Sequence, residues 1–454
     1  MPTITDRDLA VTIREAAQPL AGLPADYDRL MKMVGDARYV LLGEASHGTH
    51  EFYEQRALIT QRLIEEKGFV AVAAEADWPD ALRVNAFVRG IGNDAFAHEA
   101  LGDFKRFPTW MWRNTVVAEF VDWLRAHNDA LPRAGAKAGF YGMDLYSLRS
   151  SMAAVLRFLE KADPEAAKHA RERYACFDRF GPDDQVYGFL SASGTMPSCK
   201  EQVIEQLMEL QKSAAQSAKR FPHIDQDERF YAEQNARVAK NAEEYYRSMF
   251  LRDGESTWNL RDRHMVDTLQ ALEKHLERKG LTPKIVVWAH NSHLGDARAT
   301  EMGWRRGEFN VGQLVREAYG NAARLVGFTT HRGTVTAAND WDEPAQRKKV
   351  SEALNGSYEL LFHDAKVPRF LLDLRTGNDA TRALKDSRLE RAIGVVYRPS
   401  TERVSHYFDA ELPAQFDVVL HFDETRAVEP LERSAQWDKG EARGDLPETY
   451  PFGV

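Results

Sequence analysis

The sequence predicts an α/β protein with a mostly parallel central sheet, flanked by helices, and with an inserted helical subdomain. Short apolar runs alternate with amphipathic segments up to about residue 162, disappear over residues 163–280 and return afterwards. Strand, helix and strand in succession indicate right-handed βαβ units, which build parallel sheets. We therefore predict an α/β core formed by residues 1–162 and 281–454, and a helical insertion, or cap, formed by residues 163–280.

The first strands are predicted at three mostly apolar runs, Tyr39–Leu42, Phe69–Ala74 and Gly139–Met143. Short runs of this kind, rich in β-forming residues, are typical of strands that are buried on both faces. Between the first two runs, the amphipathic segment Thr49–Lys67 predicts a helix, and Gly68 directly after it suits a helix C-cap.

The middle of the chain is rich in Ala, Glu, Lys, Gln and Leu, and it predicts several helices divided at glycines and prolines. Four apolar residues recur there at helical spacing: Met265, Leu269, Leu272 and Leu276. We expect this region to cover the carboxyl edge of the sheet. Five of its aromatic residues either line a cleft there or, more often for such residues, pack between helices: Tyr174, Phe177, Phe180, Tyr187 and Phe230.

Strand signals return with the run KIVVWA at residues 284–289. A helix is then predicted at Val311–Tyr319, ended by Gly320, and three further runs predict strands: RLVGFTT, RFLLDL and DVVLHF. Because strand-forming segments lie on both sides of the helical region, the two parts of the chain are expected to contribute to one sheet.

The composition fits a soluble globular protein. The chain has 454 residues, 43% of them hydrophobic, and its 60 basic and 69 acidic residues give a formal net charge of −9. No cluster of Lys and Arg points to nucleic acid, and no apolar run approaches the ~20 residues that span a bilayer. The N-terminal segment lacks the apolar core of a signal peptide. We expect a cytoplasmic protein with no nucleic-acid or membrane partner, and the sequence gives no prediction of oligomeric state.

The sequence contains two cysteines, Cys176 and Cys199. They form no CxxC pair, and their spacing disfavours both a disulfide framework and a zinc site with cysteine ligands.

Polar residues that can carry chemistry follow the predicted strands. Five of them are glutamates and histidines: Glu44, His47, Glu75, His290 and His293. Because ligands of open parallel sheets bind at the carboxyl ends of the strands, we expect these residues to converge on one cleft. Asp77 and Asp144 also follow strands, but their sequence neighbours fit helix capping better than catalysis.

Arg56 is predicted to face the sheet. It shares one face of the predicted helix with three apolar residues: Phe52, Ile59 and Leu63. A buried guanidinium requires a carboxylate partner, and Glu44 and Glu75 are the nearest candidates by topology. A purely structural ion pair and a side chain that extends to solvent are equally plausible interpretations.

Several standard catalytic motifs are absent from the sequence. It has no GxSxG nucleophile elbow, no GxxxxGK[ST] phosphate loop and no GxGxxG fingerprint. The H-x-x-H spacing of His290 and His293 suits a metal, but two histidines alone are a weak signal. Further ligands would have to come from other residues near the first strands: His47, His50, Glu51 or Glu75. We therefore predict no cofactor and no metal.

Three segments resemble the erythromycin esterase family: GEASHGTHEFYEQRALITQRLIEEKGF, AAEADWPDALRVN and VVWAHNSHLGD. The resemblance continues into RAIGVVYRPSTERVSHYFDAELPAQFDVVLHFDETRAVEPL and so covers nearly the whole chain. It implies an α/β fold with a helical subdomain and the hydrolysis of macrolide lactones without a serine nucleophile. It also implies functional roles for six residues: Glu44, His47, Arg56, Glu75, His290 and His293.

Together the residues and the resemblance predict a carboxylic-ester hydrolase that acts on a small-molecule ester or macrolactone. Histidine titrates near neutral pH, so His47 can deprotonate water, and Glu44 or Glu75 can orient its ring. His290 and His293 would bind the ester carbonyl or assist the leaving alcohol. Because no activated Ser or Cys is evident, direct attack by water is favoured over a covalent acyl-enzyme.

Two alternatives stay open at this point. One is a metallohydrolase that uses the His290–His293 pair with Glu75 or His47. The other is a binding or biosynthetic accessory protein whose cleft recognises a polyketide or saccharide without turning it over.

Overall fold

The structure, a computed structural model, describes residues 5–132, 137–220, 225–251, 256–375 and 377–440. Its strands are β1 (Gln18–Pro19), β2 (Tyr39–Leu42), β3 (Ala71–Asp77), β4 (Gly139–Asp144), β5 (Ile285–Trp288), β6 (Ala323–Ala337), β7 (Gln346–Val350), β8 (Arg369–Asp373), β9 (Arg388–Arg391), β10 (Tyr407–Ala410) and β11 (Val418–Thr425).

The α-helices of the same residues lie before, between and after these strands. They are α1 (Asp6–Ala16), α2 (Asp28–Val34), α3 (His50–Lys67), α4 (Trp78–Arg89), α5 (Ala97–Ala100), α6 (Thr115–Ala130), α7 (Leu148–Ala162), α8 (Pro164–Tyr174), α9 (Asp184–Ala192), α10 (Lys200–Arg220), α11 (Gln226–Ser248), α12 (Thr257–Arg278), α13 (Asn291–Leu294), α14 (Glu301–Arg306), α15 (Val311–Tyr319), α16 (Tyr358–Asp364), α17 (Asp379–Ala383), α18 (Glu402–Ser405), α19 (Leu412–Gln415) and α20 (Ala435–Lys439). Among them, none combines the length and the apolar character that a bilayer span requires.

The main sheet has nine strands in the described ranges, in the order β1-β8-β11-β6-β2-β5-β3-β4, with β7 paired to β6 outside this path. The pairs β11–β6, β6–β2, β2–β5, β5–β3 and β3–β4 are parallel, whereas β1–β8, β8–β11 and β6–β7 are antiparallel. The predicted α/β class with a mostly parallel sheet is confirmed. As a consequence, β2, β3, β4, β5 and β6 end at one edge of the sheet.

Alternate residues of the central strands pack against opposite layers of helices. On β2, Val40 and Leu42 join a core with α3, α4 and α6, and Tyr39 and Leu41 join a second core with α1, α12 and α15. Burial on both faces explains why these strands are continuous apolar runs. The predicted helix begins at His50 with Thr49 at its N-cap and ends at Gly68, whose φ of 69° is left-handed.

Strand β3, which the sequence predicts at Phe69–Ala74, differs from its prediction at both ends. It begins at Ala71 rather than Phe69, because Phe69 closes the helix C-cap through a hydrogen bond from its N–H to the carbonyl of Leu63. It continues to Asp77 because pairing with β4 resumes after an irregularity at the level of Asp144. Glu75 therefore lies inside the strand rather than after it.

In its described parts, the region 163–280 contains helices and no strand. Its packing is shared between two cores. Helices α8 to α11 pack with α7 in a third core that includes Leu148 and Val155, whereas α12 packs on the sheet through Met265 and Leu269. The division at residues 162 and 281 stays a prediction. The packing favours a helical unit that begins near Leu145 and ends before α12.

The five aromatic residues considered as cleft residues pack between helices. Tyr174, Phe177, Phe180 and Tyr187 are buried in the third core, and Phe230 is buried against Trp78. The interpretation that they line the cleft at the sheet edge is therefore wrong.

Cys176 and Cys199 form a disulfide bond, so the expectation drawn from their spacing is wrong. The bond joins the turn at Ala175–Phe180 to the start of α10, 23 residues further along the chain. The residues meet through helix packing, which short-range cysteine spacing does not report.

Glu390 on β9 gives the fold a pH dependence that can be measured. Burial and the negative charge of Glu359 raise the pKa of Glu390 to about 8. Between about pH 5 and pH 7 the folded protein keeps a proton that the unfolded chain has lost, so stability falls as the pH rises. The slope for such a group is about 1.4 kcal/mol per pH unit.

We therefore expect Glu390→Gln, which mimics the protonated acid, to become more stable relative to the wild type as the pH rises. Urea unfolding of both proteins at pH 5, 6 and 7 measures the difference. A difference that is independent of pH would show that Glu390 is ionised in the folded protein.

Candidate active site

The strand ends gather the predicted residues around one cavity of about 350 Å³. His47, Glu75, His290 and His293 line it, and all four are at least nine-tenths buried. Glu44 and Arg56 lie behind its wall, in contact with His47 or with each other. The geometry thus brings all six predicted residues together, while their roles in a reaction stay a prediction.

His47 is the end of a chain of three ionisable groups that begins at Arg56 and passes through Glu44. Its Nδ1 lies 3.0 Å from Oε1 of Glu44, and Oε2 of Glu44 lies 2.7 Å from Nη2 of Arg56. Arg56 is fully buried, with its guanidinium 4.4 Å from the ring centre of Tyr53. The hydroxyl of Tyr53 donates to the carbonyl of His47 at 2.8 Å. Glu44, rather than Glu75, is therefore the carboxylate that orients the His47 ring and pairs with Arg56.

The turn after β2 needs glycine at two positions because other atoms approach closely. A Cβ on Gly43 would lie 2.1 Å from the side-chain oxygen of Asn291. The backbone N–H of Asn291 donates to the backbone carbonyl of Glu44 at 2.8 Å. A Cβ on Gly48 would lie 1.8 Å from the carbonyl oxygen of Thr336. The hydroxyl of Thr49 contacts Ser46 and does not cap α3.

Glu75 projects from β3 and binds two donors. Its Oε2 accepts the backbone N–H of His290 at 2.9 Å, and its Oε1 accepts Nη2 of Arg261 at 2.6 Å. Burial opposes ionisation, but the neighbouring His293 and Arg261 outweigh it and hold the pKa of Glu75 well below its usual range. Glu75 is therefore an ionised carboxylate at the cavity wall.

His290 is neutral and lies beside His47. The two ring centres are 4.9 Å apart. Burial and the neighbouring His47 lower the pKa of His290 to about 3. Its Nδ1 accepts the backbone N–H of Ser292 at 3.2 Å, which leaves the ring proton on Nε2. Among the described residues, Nε2 has no hydrogen-bond partner.

His293 is fixed from several sides by the first turns of α12. Its Nδ1 lies 2.8 Å from Oδ2 of Asp262, its Nε2 lies 2.9 Å from Nη1 of Arg261, and its ring stacks on Trp258 at 4.3 Å. Burial lowers the pKa of His293, but Asp262 and Glu75 outweigh burial and raise it overall. Because a guanidinium only donates, Nε2 of His293 accepts from Arg261, and the ring proton lies on Nδ1, which donates to Asp262.

Arg261 is the main residue that sequence reasoning missed. It binds both carboxylate oxygens of Asp144, at 2.9 and 2.7 Å, as well as Glu75 and His293. For its neighbour Asp262, the sequence contains one signal. Asp262 lies in the same helical register as Met265 and Leu269, and this predicts a buried carboxylate that needs partners.

Helix capping is not the main role of Asp77 and Asp144, so that interpretation is wrong. Asp77 occupies the N-cap of α4 without capping it, and its Oδ2 accepts Nε of Arg106 at 2.9 Å. Asp144 binds Arg261 with both oxygens, and both aspartates line the cavity. Capping was favoured because the partner arginines lie far away in sequence.

Four of the residues considered as metal ligands are engaged by other groups: His50, Glu51, Glu75 and His293. The Arg261 guanidinium lies between Glu75, Asp144 and His293, which places a positive charge where a cation would bind. Glu51 accepts the backbone N–H of Arg426, and the His50 ring contacts the side chain of the same arginine. In the part of the chain that the structure describes, no three His, Cys, Asp or Glu side chains are placed to hold a metal ion.

The fold and the site together describe an α/β protein in which histidines and carboxylates meet at the carboxyl edge of a mostly parallel sheet. The chain belongs to the erythromycin esterase family, whose family model matches residues 64–425. Membership of this family supports a hydrolase activity.

Individual relatives are distant. Erythromycin esterase type II from Escherichia coli is 25% identical over 322 residues, which cover 69% of this chain and 73% of that protein. A crystal structure described as a succinoglycan biosynthesis protein superimposes with a TM-score of 0.75 at 21% identity, covering 95% of this chain and 100% of that one. An open conformation of a mutant of the erythromycin esterase EreC gives a TM-score of 0.63 at 18% identity, covering 90% and 95%. These structures share the fold.

Proposed function

We propose that this protein hydrolyses carboxylic esters, macrolactones among them, by direct attack of a water molecule that His47 deprotonates. The observation that carries the proposal is the buried chain from Arg56 through Glu44 to Nδ1 of His47, which ends at the cavity wall. Such a chain fixes one ring tautomer and leaves Nε2 to accept a proton.

In the proposed reaction, Nε2 of His47 takes a proton from water while the hydroxide attacks the ester carbonyl carbon. Glu44 stabilises the imidazolium that forms, as a carboxylate does behind a catalytic histidine. The imidazolium then returns the proton to the leaving alkoxide, so that acid and alcohol are the products. No group outside the cavity is needed to balance these steps.

The developing oxyanion requires positive charge or hydrogen-bond donors. His290 is neutral and carries its proton on Nε2, so it can donate to an oxygen of the reacting ester. Arg261 contributes positive charge at the same wall, next to Glu75. Glu75 holds the backbone of His290 and so supports the position of this donor.

Among the described residues that line the cavity, Ser292 makes a contact that resembles the one between a nucleophile and its base. Its Oγ lies 2.8 Å from Nδ1 of His290, and it lines the cavity. However, the same Nδ1 already accepts the Ser292 N–H, and a histidine whose pKa is lowered to about 3 is a weak base. This contact therefore favours a local turn over an activated serine.

We expect Ser292→Ala to keep ester hydrolysis within about threefold of the wild type, because general-base loss costs at least ~100-fold and this serine is not in that path. Steady-state kinetics give kcat/KM of both proteins, and rapid-mixing kinetics show whether a burst phase occurs. A burst in the wild type together with a ~100-fold loss in Ser292→Ala would indicate a covalent acyl-enzyme instead.

A panel of p-nitrophenyl esters, aliphatic lactones and macrolactones tests the proposed function directly. We expect turnover of at least one member, with the carboxylic acid and the alcohol detected by mass spectrometry. Binding of panel members without any turnover would contradict the proposal and would favour a binding protein.

A further inference from the structure

A second chamber of about 460 Å³ adjoins the catalytic cavity. Four residues belong to the walls of both: Arg106, Phe107, Tyr146 and Trp341. The Tyr146 ring lies between two guanidiniums, 4.7 Å from that of Arg106 and 4.9 Å from that of Arg261. Phe107 and Trp341 contact each other with ring centres 4.9 Å apart. The two spaces are thus joined by an aromatic passage.

The remaining walls of the second chamber combine apolar and polar side chains, the polar ones being Asp183, Asp184, Gln185 and Asp342. Tyr245, Tyr246 and Met249 come from the end of α11. Its two helix-side carboxylates are engaged, since Asp184 accepts Nε of Arg149 at 2.9 Å and Asp183 accepts the N–H of Gln185 at 2.8 Å. A ligand group in this chamber therefore meets two phenol rings and a thioether together with the carboxylate of Asp342.

An exposed apolar surface continues from this chamber, and we call it the α9–α11 strip. Its members are between 37% and 56% exposed: Val186, Phe189, Met249, Phe250 and Leu251. Met249 also lines the chamber, and Phe189 is one helical turn after Gln185, another chamber residue. The rings of Phe189 and Phe250 meet at 5.8 Å.

The α9–α11 strip is a fixed surface because its two helices pack closely. A Cβ on Gly188 would lie 2.1 Å from the carbonyl oxygen of Tyr246, so only glycine permits this approach. The catalytic cavity thus continues through the aromatic passage and the second chamber to the α9–α11 strip, and together they form one path. Apolar surface exposed along such a path marks a binding site for an apolar group.

We propose that the second chamber and the α9–α11 strip bind a long apolar group of the ester, so that the substrate is an amphiphilic ester with a large hydrocarbon portion. This inference rests on the proposed function. The ester lies at His47, and the hydrocarbon portion extends through the passage beside Tyr146. Burial of each methylene along the path multiplies affinity by about four.

The test compares p-nitrophenyl acetate with p-nitrophenyl laurate, both below the concentration at which they aggregate. We expect the wild type to prefer laurate at least ~10-fold in kcat/KM, and Phe189→Ser/Phe250→Ser to lower the ratio of laurate to acetate at least ~10-fold. Ile91→Ser serves as the control, since Ile91 is 73% exposed and follows α4 at the opposite edge of the sheet. It should leave the ratio unchanged.

A binding measurement separates this inference from the proposed function. N-Dodecylacetamide and N-butylacetamide, which are amides and not esters, are titrated against the wild type and the double variant by tryptophan fluorescence. We expect the dodecyl compound to bind the wild type at least ~10-fold more tightly, and the double variant to lose this preference. Circular dichroism verifies that the variant is folded.

Equal binding of both amides, or a preference that survives in the double variant, would contradict the inference even if short esters are hydrolysed. A double variant that changes only the oligomeric state, measured by light scattering, would contradict it as well and would assign the strip to a second copy of the chain. Absence of ester turnover with the binding preference intact would contradict only the proposed function.

Discussion

Replacing His47 with asparagine is expected to lower kcat/KM for ester hydrolysis by ~2–4 orders of magnitude, the usual scale for loss of a general base. Asparagine keeps a polar side chain next to Glu44 but cannot take a proton from water. Michaelis–Menten kinetics with the best ester of the panel measure the loss, and circular dichroism and thermal unfolding verify the fold.

His50→Asn is the matched control for His47→Asn. His50 lies three residues further along the same turn, and its ring contacts Arg426 and not the cavity residues. We expect this variant to keep turnover within about threefold, since it leaves the general base in place. Equal activity of His47→Asn and the wild type would reject His47 as the base.

Arg261→Met is expected to destabilise the folded protein by ~3–5 kcal/mol, the scale for removing one member of a buried ion pair. The substitution leaves Glu75 and Asp144 buried without the guanidinium that binds both. It also removes the contact that holds His293 from one side, so hydrolysis should fall as well. Denaturant unfolding at pH 7 measures the stability, and kcat/KM measures the activity.

The effect of Arg261→Met should depend on pH in a defined direction. Arg261 helps to hold the pKa of Glu75 and of Asp144 below their usual values, despite burial. Carboxyls of this kind contribute stability above the pKa of the unfolded chain, near 4, and lose it as the pH falls through the folded pKa. The deficit of the variant should therefore be full at pH 7 and shrink only as the pH falls below about 4.

Arg305→Met provides the surface comparison for this substitution. Arg305 pairs with Glu301 at 2.8 Å, and its side chain is 70% exposed. Solvent screening limits such pairs to less than about 1 kcal/mol. Both arginine variants could instead lose the same stability, with neither loss depending on pH. That outcome would contradict the prediction that Arg261 compensates the buried charges of Glu75 and Asp144.

The central sheet could be predicted because its strands are buried on both faces. Runs such as Tyr39–Leu42 and the segment containing Ile285–Trp288 are apolar throughout, and that pattern survives in a single sequence. The order of the strands could not be predicted, since β5 pairs with β2 and β3 from far along the chain. Local pattern carries no information about such long-range pairing.

The candidate site was predictable where its contacts are local. Glu44 and His47 are three residues apart, and Arg56 follows on the next helix, so a single sequence segment contains the whole chain of contacts. Arg261 and Asp262 were missed because they lie in a region whose pattern indicates only amphipathic helices. Their partners come from β3, β4 and the turn after β5.

The position of β5 between β2 and β3 has a consequence for biosynthesis. A ribosome releases β2 and β3 more than two hundred residues before β5, which begins at Ile285. Until then, β2 lacks both of its neighbours in the finished sheet, β5 and β6, and β3 has only β4 beside it, so their unpaired edges can attract other chains. A nascent chain that stops before Ile285 therefore lacks β5 and β6 and two of the histidines at the sheet edge, His290 and His293. We expect such truncated chains to need chaperones to stay in solution.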